Sequence, residues 1–149
     1  MKARDLMTPG AIAVRLDTPT ERVAELMLEH NISACPVIDE NGKPTGMVSE
    51  EDLIFALFAE GEPVSEEFVA RIPKSKRTAR DVMGGPIVAV TEETDVAEIA
   101  RILIQYRIKR VPVVRGGRLV GIVSRADLLR ALVRSIAATN HPDMRASLS

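Results

Sequence analysis

The chain has 149 residues, of which 46% are hydrophobic and only 3% aromatic, so its core must be built mainly from aliphatic side chains. The 20 basic and 21 acidic residues give a formal net charge of −1, which excludes a general electrostatic attraction for nucleic acid. A single cysteine, Cys35, excludes an intrachain disulfide and a four-thiolate zinc site. Because no apolar stretch approaches a signal peptide or the ~18 residues of a membrane span, we expect a cytoplasmic protein without membrane contact.

The first half of the chain reads as strand, helix, strand, strand, helix. We predict a short strand at 12–14 and a helix whose N-cap is Thr18, followed by a proline at the first helical position. Two apolar strands, 35–38 and 47–48, flank an Asn-Gly turn. Ser49 is then predicted to cap the last helix of this half.

The second half repeats the first. Ala-Arg-Asp-Leu-Met at 3–7 recurs as Ala-Arg-Asp-Val-Met at 79–83, and the same shift of 76 positions carries Pro36 to Pro112. Further on the shift becomes 75, because one residue is lost in the turn between the last two strands. Turns tolerate such a loss, whereas strands would change register. The second half therefore has its own predicted strands, at 87–90, 111–114 and 119–123, and helices capped by Thr94 and Ser124.

This duplication predicts an α/β (α+β) fold of two tandem strand-helix-strand-strand-helix repeats. A half of roughly 55–60 residues buries too little surface for stability, so we expect the last helix and sheet face of each half to pack on the other with pseudo-two-fold symmetry. The predicted organisation has four parts: repeat 1 at 1–58, a linker with a short helix at 59–78, repeat 2 at 79–135, and a flexible C-terminal tail at 136–149.

The linker contains or adjoins all three phenylalanines, Phe55, Phe58 and Phe68. One interpretation is that these rings anchor the linker on the core. The other is that they form a contact with a partner or with a second copy of the chain. The sequence leaves both interpretations open.

Two signatures occur once in each half. An apolar-Pro-Val step ends the segments Ile32–Val37 and Ile108–Val113, and the pattern Gly-apolar-Val-Ser-x-x-Asp fills Gly46–Asp52 and Gly121–Asp127. In this order and register the chain resembles the CBS domain family over roughly 3–134. The resemblance implies a tandem pair with two clefts that take AMP, ADP, ATP or S-adenosylmethionine, association as a disc-shaped homodimer, and regulation of a separate protein target.

Two aspartates match the acid that binds ribose in this family, Asp52 and Asp127. A carboxylate accepts hydrogen bonds from two adjacent ribose hydroxyls. The spacing also fits a helix N-cap with Ser49 or Ser124, where an acid is favourable through the helix dipole. The same first turn, Glu50–Asp52, would suit a magnesium-bound nucleotide, although a favourable helical turn explains it more simply.

Basic residues just before the Val-Pro step reach phosphate in the family, and Lys109 and Arg110 hold that place here. Their counterparts, Ser33 and Ala34, are neutral, so we expect unequal clefts, with Lys109 and Asp127 serving the same one. A solvated charged face is the alternative. The full set of predicted phosphate-binding residues is Ser49, Ser124, Arg107, Lys109, Arg110 and Arg125. The predicted adenine-pocket residues are Ile12, Ala13, Val88, Val111 and Pro112.

Catalysis finds little support in the sequence. His30 lies on an apolar helix face and is predicted to be a core or boundary residue, and Cys35 is predicted to be an inert buried thiol. No nucleophile-base pair, metal-ligand spacing or phosphate loop is present. We therefore expect no enzyme, no metal and no catalytic cofactor, but a regulatory adenine-nucleotide sensor that signals by conformational change. The alternative is a ligand-independent dimerisation or scaffold module with vestigial clefts.

Overall fold

The computed structural model describes residues 1–58, 66, 77–85 and 87–139. These residues form a mixed α/β structure with two small sheets, as predicted. The helices are α1 (Ala3–Leu6), α2 (Thr20–Glu29), α3 (Glu50–Phe58), α4 (Ala79–Val82), α5 (Val96–Gln105) and α6 (Arg125–Thr139). The strands are β1 (Thr8–Pro9), β2 (Val14–Arg15), β3 (Ala34–Ile38), β4 (Pro44–Ser49), β5 (Val90–Thr91), β6 (Arg110–Arg115) and β7 (Arg118–Ser124).

Each repeat builds one sheet around its predicted strand pair. In the first sheet β2 runs parallel to β3, and β3 pairs antiparallel with β4. In the second sheet β5 runs parallel to β6, and β6 pairs antiparallel with β7. The short apolar strands are buried because helices and the other repeat cover them. The first core contains Val14, Val23, Met27, Cys35, Val37, Val48, Leu53 and Ala79, and the second contains Ala3, Val90, Ile99, Leu103, Val111, Val113 and Val123.

The two repeats exchange their opening helices. Ala3 of α1 is fully buried in the core of the second repeat, and its N–H donates to the carbonyl of Thr94 at 2.8 Å. Ala79 of α4 is fully buried in the core of the first repeat, and its N–H donates to the carbonyl of Thr18 at 2.8 Å. Strand β1 follows α1 and adds a fourth strand to the second sheet beside β7. Each half therefore completes the other with the same segment, which gives the pair its pseudo-two-fold symmetry.

Close backbone approach holds this exchange in register. A Cβ at Gly46 would lie 2.5 Å from the sulfur of Met83, and one at Gly121 would lie 2.7 Å from the sulfur of Met7. Residues 84 and 47 also exchange backbone hydrogen bonds, at 2.9 and 3.2 Å. Glycine is needed at both positions because only a residue without a side chain lets the exchanged segment lie against the sheet.

Several element boundaries differ from the prediction. Thr18 does not cap α2; its Oγ1 accepts a hydrogen bond from the Arg15 N–H at 3.0 Å and closes a turn, so the helix begins at Thr20, one residue later than predicted. Thr94 forms the matching turn before α5. The strands predicted at 12–14 and 87–90 are shorter and lie further along the chain. Only Val14–Arg15 and Val90–Thr91 form strands, because these residues pair with a parallel neighbour.

The last helix is longer than predicted. Helix α6 continues to Thr139, four residues beyond the predicted end of the second repeat, and its side chains from 132 onward are exposed. The rest of the predicted tail, 140–149, lies outside the described residues, as do most of the predicted linker and Phe68. Phe55, by contrast, is described and is 75% exposed on α3.

Candidate functional site

Two clefts open between the repeats. The larger, which we call the Asp52 cleft, has a volume of about 520 Å³ and combines the start of α3 with the segment before β5 and the loop before β6. Both repeats thus contribute to one cavity. Its lining residues are Ser33, Met47, Ser49, Glu51, Asp52, Gly84, Gly85, Ile87, Val88, Arg107, Ile108, Lys109, Arg110 and Pro112.

The second cleft, which we call the Asp127 cleft, is the pseudo-symmetric counterpart. Its volume is about 420 Å³, and it combines the start of α6 with the segment after β1 and the loop before β3. Its helix start contributes Ser124, Asp127 and Arg130, which stands one turn beyond Asp127. Its lining residues are Thr8, Gly10, Ala11, Ile12, His30, Asn31, Ile32, Ser33, Ala34, Arg110, Ile122, Ser124, Asp127 and Arg130.

Both aspartates cap the helix on which they lie. The Ser49 N–H donates to Asp52 Oδ2 at 2.9 Å, and the Asp52 N–H donates to Ser49 Oγ at 3.1 Å. The corresponding distances for Ser124 and Asp127 are 2.7 and 3.2 Å. These reciprocal bonds form capping boxes, which fix each carboxylate at the mouth of its cleft with one oxygen engaged. Capping and ligand contact are therefore compatible roles for these acids.

The second oxygen distinguishes the two acids. Asp127 Oδ1 accepts a hydrogen bond from the Arg130 guanidinium, and the two charges form an ion pair within one helical turn. Asp127 is buried, with 9% of its surface exposed, whereas Asp52 is only partly buried. Among the described residues Asp52 Oδ1 has no such cation, because Phe55 stands where α6 has Arg130.

Among the residues that the structure describes, three cations line the Asp52 cleft: Arg107, Lys109 and Arg110. Lys109 Nζ lies 3.8 Å from Glu51 Oε1, across the boundary between the repeats. Arg107 has a positive φ of 54°, an uncommon conformation for a residue other than glycine that turns the chain sharply after α5. Asn31 has the matching φ of 51° after α2, so both loops enter their clefts in the same way.

The expected pairing of Lys109 with Asp127 is wrong. The Lys109 carbonyl accepts the N–H of Arg125 at 2.9 Å, so its backbone lies beside its own repeat's helix, but its side chain reaches Glu51 of the other repeat. Because the clefts lie between the repeats, the loop of one repeat supplies cations to the aspartate of the other. Arg110 lines both clefts.

Hydrogen bonds, neighbouring charges and burial change the pKa values of Glu51 and Arg110. The pKa of Glu51 is held below its ordinary value by a hydrogen bond from its own backbone N–H, then by the Ser49 hydroxyl and the charge of Lys109. Burial lowers the pKa of Arg110, and the charges of Glu51 and Glu50 partly offset that effect. Arginine remains protonated at neutral pH all the same. The cleft thus holds one cation, Lys109, that is paired with Glu51, and a second, Arg110, that is bonded to the Ser33 hydroxyl.

The other three residues predicted to bind phosphate lie in three different places. Ser49 lines the Asp52 cleft and Ser124 the Asp127 cleft, each at its helix start. Arg125 lines neither of them, because its Nε donates to the carbonyl of Ile108 at 3.1 Å and its side chain borders a different groove. The prediction for Arg125 is therefore not supported by its position.

The predicted adenine residues divide in the same way. Val88 and Pro112 line the Asp52 cleft, and Ile12 lines the Asp127 cleft. Val111 is fully buried in the second core, because it alternates along β6 with Pro112, which faces the cleft. Ala13 lines neither cleft. The sequence analysis missed several apolar lining residues, although the 76-residue shift that relates Ile32 to Ile108 could have found this pair. Those missed are Ala11, Ile32, Met47, Ile87, Ile108 and Ile122.

Two further predictions have opposite outcomes. His30 is exposed at the C-terminal end of α2 and borders the Asp127 cleft, so the prediction of a core or boundary residue is wrong. It follows the last helical residue, where the chain turns out of the apolar face. Cys35 is fully buried, as predicted, and desolvation raises the pKa of its thiol to about 11. A thiol with this pKa is almost entirely protonated at neutral pH.

An apolar groove lies away from both clefts, between α5 and α6. Its volume is about 500 Å³, and it is lined by Leu103, Ile104, Leu128, Leu129 and Leu132 among others. Several of these side chains are more than half exposed. Across the described part of the chain, no group of three or more His, Cys, Asp or Glu side chains is arranged to hold a metal ion. No helix in that part has the length and apolar character needed to cross a membrane.

Known proteins share this sequence pattern and fold. A protein named zinc metalloprotease from Methanocaldococcus jannaschii is 36% identical over 132 residues, which are 89% of this chain and 32% of that protein. The crystal structure of CBSX2 from Arabidopsis thaliana in complex with AMP superposes with a TM-score of 0.72 and 29% identity, covering 89% of this chain and 96% of CBSX2.

A CBS domain from a membrane protein of Sphaerobacter thermophilus gives a TM-score of 0.72 and 34% identity, covering 87% of this chain and 86% of that one. The chain spans about a third of the length of the first curated relatives that it matches. The sequence profile of the CBS domain matches residues 3–59 and 79–134. The chain therefore belongs to the CBS domain family, as a tandem pair of repeats.

Proposed function

We propose that this protein is a regulatory module that binds an adenine nucleotide of the AMP, ADP or ATP type, foremost in the Asp52 cleft. One observation supports this above all: an aspartate suited to ribose and three cations suited to phosphate line the same cavity of about 520 Å³. Pockets for small ligands typically have volumes of about 300–1,000 Å³. The AMP complex of the related CBSX2 supports the same ligand class.

Each part of the cavity suits one part of such a ligand. Asp52 offers a carboxylate oxygen for the two ribose hydroxyls. Lys109, Arg107 and Arg110 would receive the phosphate, which replaces Glu51 as the partner of the Lys109 ammonium. The apolar lining that includes Val88 and Pro112 suits the adenine ring. S-adenosylmethionine fits the ribose and adenine positions, but it leaves the cations without a phosphate.

The Asp127 cleft is proposed as the weaker site. Its aspartate is already paired with Arg130, so a ribose must compete with that ion pair. Its loop carries Asn31 and Ser33 where the other cleft has Arg107 and Lys109. Phosphate would therefore meet fewer free cations there.

Exposed apolar side chains offer a surface through which binding could be transmitted to a partner. Ile54 and Phe55 on α3 are 57% and 75% exposed, and Leu129 and Val133 on α6 are each 62% exposed. Because the repeats are related by pseudo-symmetry, a second copy can cover both patches at once, as a disc-shaped homodimer. A nucleotide between the repeats would change their relative angle and with it this surface.

Isothermal titration calorimetry of the nucleotide-stripped protein against AMP, ADP, ATP and S-adenosylmethionine, with and without magnesium, tests the proposal. We expect micromolar binding of a phosphorylated ligand, weakened at least about tenfold by Lys109→Ala because a charge-assisted bond is lost. Lys43→Ala is the matched control, since Lys43 is exposed in the β3–β4 turn. Equal binding by both variants would contradict the assignment of Lys109.

The alternative is a scaffold that associates without any ligand. The exposed apolar groove between α5 and α6 favours it, since association alone would explain that surface. Titrations without heat at high protein concentration, together with no thermal shift, would make this the better account. In that case Leu129→Glu should still convert a dimer into a monomer, measured by light scattering.

A further inference from the structure

Two polar residues, Ser33 and Arg110, line both clefts, and no other residue that the structure describes is common to the two linings. They also contact each other: Arg110 Nη2 donates a hydrogen bond to Ser33 Oγ at 2.9 Å. The two residues come from different repeats, at a separation of 77 positions. A single side-chain pair therefore forms part of the wall between the two cavities.

The backbone positions explain how Arg110 reaches both. Arg110 opens β6 and lies opposite Ser124 in the register with β7, so its backbone stands beside the helix start of the Asp127 cleft. Its guanidinium is bonded to Ser33, whose carbonyl accepts the N–H of Glu50 at 2.9 Å at the helix start of the Asp52 cleft. The side chain thus spans from one helix start to the other.

The two clefts depend on this cation to different extents. The Asp52 cleft also contains Arg107 and Lys109, so Arg110 is one of three cations there. The Asp127 cleft has Arg130 besides, but Arg130 is paired with Asp127. Arg110 is also half-buried. Salt therefore screens its charge less than it screens a charge on an open surface.

We propose that Arg110 is a shared phosphate-binding residue, so that two phosphorylated ligands antagonise each other while a nucleoside without phosphate does not. A phosphate in the Asp52 cleft draws the guanidinium toward itself, and a second phosphate in the Asp127 cleft then meets a weaker cation. By linkage the antagonism is reciprocal, whichever cleft fills first. This inference rests on the proposed nucleotide binding and adds its regulation.

Calorimetric titration with AMP tests the antagonism. Asp52→Asn disables the Asp52 cleft while keeping an oxygen for the helix cap, and a stoichiometry of one verifies the loss; Lys109→Glu is a second way to disable it. We expect AMP to bind the Asp127 cleft at least about fivefold more tightly in Asp52→Asn than in the second step of the wild type. Adenosine should bind the Asp127 cleft equally well in Asp52→Asn and in wild type whose Asp52 cleft holds AMP.

Substitution of the shared residue then tests its role. The fivefold ratio should fall to near one when Arg110→Gln is added to both proteins. Arg107→Gln is the matched control: it removes a cation that lines only the Asp52 cleft, so affinity falls there but the ratio remains. A ratio of one in the wild type, or one that survives Arg110→Gln, overturns the inference and leaves nucleotide binding intact. Absence of AMP binding by the wild type overturns the proposed function, and the antagonism with it.

Discussion

The two clefts are built on one template and differ in charge. Both have a Ser-Asp capping box at a helix start and a loop that enters through a positive φ, at Asn31 and Arg107. In the Asp52 cleft that loop carries cations and the helix carries Glu51, whereas in the Asp127 cleft the loop is neutral and the helix carries Arg130. The features held in common form the fold and keep one aspartate at each helix start, and the features that differ are the charges around that aspartate.

Charge reversal in one cleft should give the largest effect. In Lys109→Glu a second acid joins Glu51, so we expect phosphorylated ligands to bind the Asp52 cleft about 30- to 100-fold more weakly. The matched change Ser33→Glu tests the shared wall and should weaken both clefts. Calorimetric affinities check both variants, and equal losses in the two clefts of Lys109→Glu would contradict the assignment of this side chain to one of them.

Where the two repeats are alike, the same substitution should lower the free energy of unfolding by the same amount. Gly46→Ala and Gly121→Ala each place a Cβ less than 3.0 Å from a methionine sulfur and a backbone oxygen. We expect each to lower the free energy of unfolding by about 2 kcal/mol, measured by urea denaturation.

Gly84→Ala is the control for this pair, because its Cβ would meet only the carbonyl of Met47 at 3.9 Å. It should change the free energy of unfolding by less than about 1 kcal/mol. A large loss for Gly46→Ala and none for Gly121→Ala would show that the two exchanged segments are not energetically equivalent.

The capping boxes should have a smaller effect, again equal in the two halves. Ser49→Ala and Ser124→Ala each remove the hydroxyl that accepts an N–H at a helix start. We expect a loss of about 1 kcal/mol from each, by thermal or urea unfolding. Ser49→Thr keeps the hydroxyl and should restore most of it, which separates a capping effect from a packing effect.

Cys35 offers the smallest test, because its counterpart in the second repeat is Val111. The folded-state pKa of the thiol is raised, so the unfolded chain loses this proton first as pH rises. Stability should be fully retained below about pH 9 and decline as pH rises toward about 11. Cys35→Val should lack this decline, and a thiol reagent at pH 8 should label the wild type only on unfolding.

The sequence predicted what local pattern specifies. The strand pair around each Pro-Val step and the caps at Ser49 and Ser124 were predicted correctly, because apolar periodicity and capping residues act over a few positions. Internal repetition gave the pseudo-symmetry and hence the existence of two comparable clefts.

Contacts between residues of different repeats could not be predicted from the sequence. Ala3 is buried in the core of the second repeat, and the residues around it in the sequence do not predict this. A buried alanine has the same local sequence pattern whichever core it joins. The reach of Lys109 to Glu51 depends on how the repeats face each other, which explains why it was matched with the wrong aspartate. His30 was misjudged because a histidine next to apolar helical positions can equally end the helix.

The exchanged helices also set the order in which the molecule can fold. Helix α1 finds its docking site only when Thr94, 91 positions later in the chain, is available to accept its first hydrogen bond. Contacts this distant in sequence carry a large loop-closure entropy and slow folding. During synthesis the first repeat therefore cannot complete its fold before the second has been made. We expect one cooperative folding transition rather than two, and no stable folded state of either half alone.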